Sequence, residues 1–242
     1  MNSNSDEETQ PNERDQKRGV KRWVLTSLIA VVLLAASLFL SAGTLFWWQA
    51  WIYLFTAAAI LVLDYVVLVP ISPDLLGERS RYQKGAKAWD QLLSRLMATI
   101  GPVVILIVSG LNYRNSWSGD FPAWIVVIAM EFVLLGGLLA LWAMAANRFF
   151  IGMVRIQDER GHRVVKSGPY RYIRHPGYLG SLFYILFTPL ALGSLWALVP
   201  AMLTMGVILL RTYLEDKTLK DELHGYQEYA AEVHHRLVPG IW

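Results

Sequence analysis

Long blocks of residues that are apolar on every face dominate this chain, and they limit its fold before any motif is considered. Soluble domains distribute apolar residues at the helix or strand period. Here the stretches from Trp23 to Leu45, Trp47 to Val69, Leu96 to Leu111 and Pro122 to Ala146 carry only two charges between them, Asp64 and Glu131. A helix rising 1.5 Å per residue needs about 20 residues to cross ~30 Å of hydrocarbon. Three of the runs meet that length, and the Leu96 run can be extended at either end. With 55% hydrophobic and only 17% charged residues, the chain is predicted to be an all-α integral membrane protein. Trp47, Trp48 and Trp51 stand at the start of the second run, as interfacial aromatics do.

A fifth apolar block, residues 179 to 210, is too long for one straight crossing and is interrupted by Pro189, Gly193 and Pro200. Two half-length helices meeting near Leu192-Gly193-Ser194 account for it. The predicted fold is therefore four spanning helices plus a C-terminal helical hairpin (179–212) and a cytoplasmic ligand-binding region. Residues 1–22 read as a disordered tail, 23–146 as transmembrane helices 1–4, and 147–242 as the functional region, closed by an amphipathic helix. Leu219, Leu223, Tyr226, Tyr229 and Val233 recur at spacings of three and four, which marks that helix.

Orientation follows from the basic residues. Lys and Arg crowd the N-terminal tail, the 71 to 94 loop and the region after residue 146, whereas the turns near 45 to 47 and 112 to 120 hold Arg114 alone. Positive loops stay cytoplasmic, so both termini are expected there. The membrane is expected to be a prokaryotic inner or plasma membrane.

Composition also excludes several functions. Without cysteine there are no disulfides and no thiolate sites. A formal charge of +3 with no basic run in a soluble context gives no footprint for nucleic acid. His234 and His235 are adjacent, point in different directions from a helix and lack a third ligand at useful spacing, so no metal is expected.

The segment from Asn147 to Tyr178 contains seven Lys or Arg residues against Asp158 and Glu159. A basic anchor for anionic headgroups needs only Lys and Arg. Here Gln157, His162, Tyr170, Tyr172, His175 and Tyr178 are interleaved with them, and Pro169 and Pro176 fix the local backbone. Downstream, Arg211 and Glu215 lie four residues apart on one helical face, which suits either an intrahelical ion pair or a shared site.

Taken together, Gly161-His162-Arg163-Val164-Val165, Ser167-Gly168-Pro169-Tyr170, Arg174-His175-Pro176-Gly177-Tyr178 and Arg211 with Glu215-Asp216 resemble the isoprenylcysteine carboxyl methyltransferase family, which has phospholipid methyltransferase relatives. The resemblance covers residues 145 to 242 and implies a membrane enzyme that uses S-adenosyl-L-methionine. It implies cofactor contacts from Gln157, His162, Arg163, Val164, Val165 and Tyr170, a wrapping turn at His175, Pro176, Gly177 and Tyr178, and a hold on the cofactor's amino-acid or ribose end by Glu215. Arg211 would face the acceptor. The chain departs from the family in having Glu215-Asp216 where two glutamates are common.

Those roles suit the chemistry. S-adenosyl-L-methionine combines a sulfonium, an ammonium and a carboxylate, and tyrosine faces attract a sulfonium without attacking it. A carboxylate acceptor needs no strong base, and an arginine fork can grip it bidentately. The expected partners are a lipophilic or lipidated acceptor and membrane lipid. An isoprenylcysteine-type carboxylate is the first choice, and a phospholipid amine the alternative. A non-catalytic protein whose basic face binds lipid remains a third reading. Asp64 and Glu131, charged within spans, are expected to be paired or protonated. Gly136-Gly137 and Ser109-Gly110 are expected to permit close helix packing.

Overall fold

The computed structural model describes residues 13–79 and 85–242. Helix α1 spans Glu13–Ala42, α2 Trp48–Ile71, α3 Pro73–Arg79, α4 Ala88–Arg95, α5 Gly101–Asn115, α6 Ala123–Ala146, α7 Pro176–Ala191, α8 Leu198–Glu222 and α9 Tyr226–Glu232. A π-helical turn, Leu96–Ile100, joins α4 to α5, so residues 88–115 run as one rod. No strand occurs among the described residues. Five helices are long and apolar enough to cross a membrane: α1, α2, the α4–α5 rod, α6 and α8. Their outward faces carry bare hydrophobes such as Leu40, Phe55 and Leu203, each 70% exposed or more. Water would penalise that surface, and lipid tails do not.

Two expectations change here. The tail assigned to residues 1–22 lies outside the described residues as far as residue 12, but Glu13 to Arg22 are already helical in α1. The hairpin also forms, with Gly193 in the left-handed region (φ +69°) at its turn, but its arms are not half-length. Gly193 O accepts from Asn112 Nδ2 at 3.2 Å, and Leu195 N donates to Ser118 Oγ at 3.0 Å. The turn thus sits beside the α5–α6 loop, and Trp47 stacking on Tyr113 brings the α1–α2 loop to the same end. Pro200 does not shorten α8 because it falls in the first turn, where helix N–H groups have no intrahelical partner.

Small residues set the helix contacts. A Cβ at Gly136 would lie 2.6 Å from Gly180 O, so α6 and α7 touch backbone to backbone. A Cβ at Gly19 would lie 2.7 Å from Gly77 Cα, which brings α3 equally close to α1. Gly110 admits Ser41 of α1 in the same way. Such contacts let dispersion and weak polar interactions hold helices together where the hydrophobic effect does not. All the site-forming loops collect at the end of the bundle opposite the Gly193 turn.

Candidate active site

At that end α8 leaves the bundle and presents Arg211, Glu215 and Asp216 over little more than one turn. The segment after α6 folds over them. Asn147 Oδ1 accepts from Phe149 N at 2.9 Å and starts a tight turn, and Gln157 is buried with its Nε2 donating to Phe149 O at 2.8 Å. A 3₁₀ turn at Asp158–Arg160 ends at Gly161 in the left-handed region (φ +61°), which reverses the chain and brings His162 back onto Phe149, ring centroids 4.7 Å apart. Arg160 clamps the loop from outside through Asp74 at 2.6 Å and the Gln157 side-chain carbonyl.

These elements enclose a cavity of about 240 Å³. Its walls include Gln157, His162, Arg163, Val164, Val165, Tyr170, His175, Gly177, Tyr178, Arg211 and Glu215. The sequence-predicted residues therefore converge, with one exception. Pro176 is buried at the first position of α7 and does not line the space; it starts the helix, where its missing N–H is harmless. Gly177 behind it is needed for fit, since a Cβ there would strike the Phe150 ring. Met97, Ala98, Ala140 and Met144 line the same cavity from the π turn and α6. One space thus combines polar, aromatic and apolar lining.

Glu215 faces this space, and one of its oxygens, Oε2, accepts from the Tyr178 hydroxyl. Asp216, next along the helix, faces away and is 1% exposed. It receives Arg174 through Nε (2.7 Å) and Nη2 (3.1 Å), Arg236 Nε (2.8 Å) and the Tyr226 hydroxyl (3.1 Å), with His175 Nε2 at 3.3 Å. Burial works against the Arg174 charge, but the Asp216 carboxylate more than restores it and holds the guanidinium above its ordinary value. Arg174 N and His175 N also donate to the carbonyls of His235 and Arg236, both at 2.9 Å, which straps the C-terminal segment to the arginine-histidine-proline turn.

Titration is shifted around the cavity. Burial first and Arg160 second hold the His162 imidazole down to about 4, so it is neutral at pH 7. Gln157 N donates to His162 Nδ1 at 3.4 Å, which requires that nitrogen unprotonated. Burial pushes the Tyr170 and Tyr226 hydroxyls up, so both remain donors. Tyr170 is fixed through its carbonyl, which accepts from Tyr229 OH at 2.7 Å.

Sequence reasoning missed several participants. Arg211 was expected to offer its fork to an acceptor, or to pair with Glu215. Instead its Nε and Nη2 grip Asp90 at 2.6 and 3.1 Å, and Nη2 also reaches Gly152 O at 2.8 Å. Only Nη1 is left, against Met97 Sδ at 3.9 Å. Asp90 is completely buried and also accepts from Val154 N at 2.6 Å. The expected amphipathic helix is interrupted: α8 ends at Glu222, Gly225 takes φ +79°, and α9 restarts at Tyr226. That break turns Leu223, Tyr226 and Tyr229 onto the cavity. The period-three stripe had signalled their burial, but not what they would bury against.

A helical bundle whose helices are long and apolar enough to cross a membrane, with a mixed polar and apolar cavity at one end, defines a multi-pass membrane protein. Residues 127–221 match the isoprenylcysteine carboxyl methyltransferase (ICMT) family. Protein-S-isoprenylcysteine O-methyltransferase B of Arabidopsis thaliana is 30% identical over 154 residues, which cover 58% of this chain and 75% of the relative. A probable protein-S-isoprenylcysteine O-methyltransferase of Oryza sativa subsp. indica is 29% identical over 110 residues, 44% of this chain and 58% of the relative. The protein-S-isoprenylcysteine O-methyltransferase of Schizosaccharomyces pombe is 26% identical over 131 residues, 48% of this chain and 56% of the relative. The chain spans a little over half the length of the rice and fission-yeast relatives, and it belongs to the isoprenylcysteine carboxyl methyltransferase family.

Proposed function

We propose that the chain is an S-adenosyl-L-methionine-dependent methyltransferase that esterifies a carboxylate on a lipophilic acceptor of the isoprenylcysteine type. The observation that carries this reading is one cavity lined by polar and aromatic side chains from the loops and by apolar side chains from the π turn and α6. Its polar lining fits the cofactor by donor set. Glu215 supplies an acid whose only hydrogen-bond partner among the described residues is Tyr178, and Arg163 supplies an exposed cation at the rim. His162 is neutral, and Tyr170 and Tyr178 present aromatic faces to a sulfonium. Val164 and Val165 back this wall, Gln157 and His162 fix its loop, and the His175-Pro176-Gly177-Tyr178 turn closes it.

S-adenosyl-L-methionine supplies an electrophilic methyl group on a positively charged sulfur. The residues of this chain bind, orient and exclude water, which is where displacement reactions gain most of their rate. An α-carboxylate, with a pKa of about 3.5, is ionised at neutral pH, so no side chain has to remove a proton. Arg211, anchored by Asp90, contributes its remaining Nη1 donor to the acceptor. The site end of the bundle is assigned to the cytoplasm because the Lys- and Arg-rich segments gather there, and the apolar wall receives the prenyl chain from within the membrane.

The test is transfer of labelled methyl by the purified protein to a farnesyl-cysteine analogue and, separately, to extracted lipid, followed by base hydrolysis. Volatile methanol from the farnesyl-cysteine product is the expected result. Base-stable label in lipid would move the assignment to amine methylation. No transfer together with no saturable cofactor binding would leave a lipid-binding protein.

A further inference from the structure

Among the described residues five arginines line the cavity: Arg79, Arg155, Arg163, Arg174 and Arg211. Arg155 pairs with Glu159, Arg174 with Asp216 and Arg211 with Asp90, each at 2.7 Å or less. Among the described residues, Arg163 and Arg79 have no carboxylate within ion-pair distance. Arg163 is exposed at the rim, where water serves it. Arg79 is different. It ends α3, and against the described residues its guanidinium makes a single long hydrogen bond to Phe150 O, at 3.4 Å, and lies 5.2 Å from the Phe150 ring. Arg79 is half-buried, so water serves its guanidinium only in part.

Position then narrows what Arg79 is for. Phe150 O holds Arg79, and Gly152 O, two residues on, holds Arg211. The two cations thus share one segment of cavity wall; burial lowers the pKa of Arg79 most, Asp64 opposes it, and the Arg211 charge adds a smaller lowering. Asp64 sits on α2, and its Oδ1 has no hydrogen-bond partner, so it offers Arg79 charge at a distance but no clamp. Phe150, on whose ring Arg79 lies, and Met144 line the cavity and pack on Leu75 and Leu76 of α3. An anion carrying an apolar tail would satisfy both cations and the wall. Since the Arg211 fork is filled by Asp90, Arg211 cannot bind such an anion bidentately.

We propose that Arg79 is the principal clamp on the acceptor's carboxylate, with Arg211 adding a single Nη1 contact. The proposal rests on the carboxylate-acceptor reading but uses a residue outside the matched segment 127–221.

The experiment compares wild type, Arg79→Gln and Arg79→Lys in the intact chain, with an S-farnesylcysteine analogue as acceptor and its carboxamide as competitive inhibitor. Wild type is expected to bind the carboxamide at least ten-fold more weakly than the carboxylate. Losing a charge-assisted bond of about 1.5–3 kcal/mol should raise the acceptor KM of Arg79→Gln roughly 10- to 150-fold. Carboxamide inhibition and cofactor affinity should stay at wild-type values, and Arg79→Lys should fall between. An unchanged KM in Arg79→Gln that still binds cofactor would overturn the proposal. So would equal affinity of wild type for carboxylate and carboxamide, a result that does not depend on whether the variants fold. Failure of the underlying functional reading is separate: it appears as absence of methyl transfer by wild type itself.

Discussion

Consecutive residues of α8 face two regions with opposite demands. Glu215 opens onto the cavity and has one hydrogen-bond partner among the described residues. Asp216, turned about 100° further round the helix, enters a sealed cluster where Arg174, Arg236, Tyr226 and His175 surround it. Both acids lie in the same motif, where the resemblance gave Glu215 a ligand and left Asp216 without a role. The cluster behind the wall spends its polar groups on each other and fixes the arginine-histidine-proline turn; the wall leaves its acid under-satisfied, as a ligand site must. His175 joins the two, since it lines the cavity and also approaches Asp216.

The largest expected effect breaks the sealed side. Asp216→Ala strands Arg174 and Arg236 and should cost roughly 3–5 kcal/mol, the range for unpairing a buried charge, seen as failure to fold or a large fall in melting temperature. Glu215→Gln should do the reverse. Cofactor affinity should drop about 10- to 100-fold, the equivalent of one charge-assisted bond, with melting temperature little changed. If the two variants lost stability equally, the distinction between sealed and open acids would fail.

Smaller changes sharpen the contrast. Tyr226→Phe removes one donor from Asp216 and should cost about 1 kcal/mol in denaturant unfolding, with a smaller effect on cofactor affinity than Glu215→Gln. The pH dependence of His162 is subtler. Its folded pKa is about 4, below the ordinary 6.5, so the unfolded chain binds the extra proton between those values. Its contribution to stability is therefore complete above pH 6.5 and declines as pH falls toward 4. His162→Gln should flatten that part of the melting-temperature profile, and an unaltered profile would show that His162 is not held neutral.

Much of this was legible in the chain. Length and apolar runs marked four crossing helices, because hydrocarbon thickness sets a residue count that no packing detail alters, but among the described residues a fifth helix, α8, is also long and apolar enough to cross. Gly136 shows why small residues were informative: a Cβ there would meet the Gly180 carbonyl, a backbone atom that cannot step aside. The residues expected to hold ligand, apart from Pro176, do meet at one cavity. What stayed hidden was pairing over distance. Asp90 lies 121 residues before Arg211, and nothing local in a loop rich in Lys and Arg distinguishes an acid that will be completely buried. Arg79 was hidden for the same reason, as one basic residue among several cytoplasmic ones. The hairpin's length was misread because Pro189 and Pro200 look like breaks in mid-run, whereas they fall near helix ends.

The most direct test of the account is saturation binding of labelled S-adenosyl-L-methionine to wild type and Glu215→Gln at matched folded fractions. Saturable binding by wild type, weakened about 10- to 100-fold in the variant, is the predicted result. Equal affinity in the two proteins, or no saturable binding by wild type, would contradict the claim that the open acid of α8 faces a cofactor.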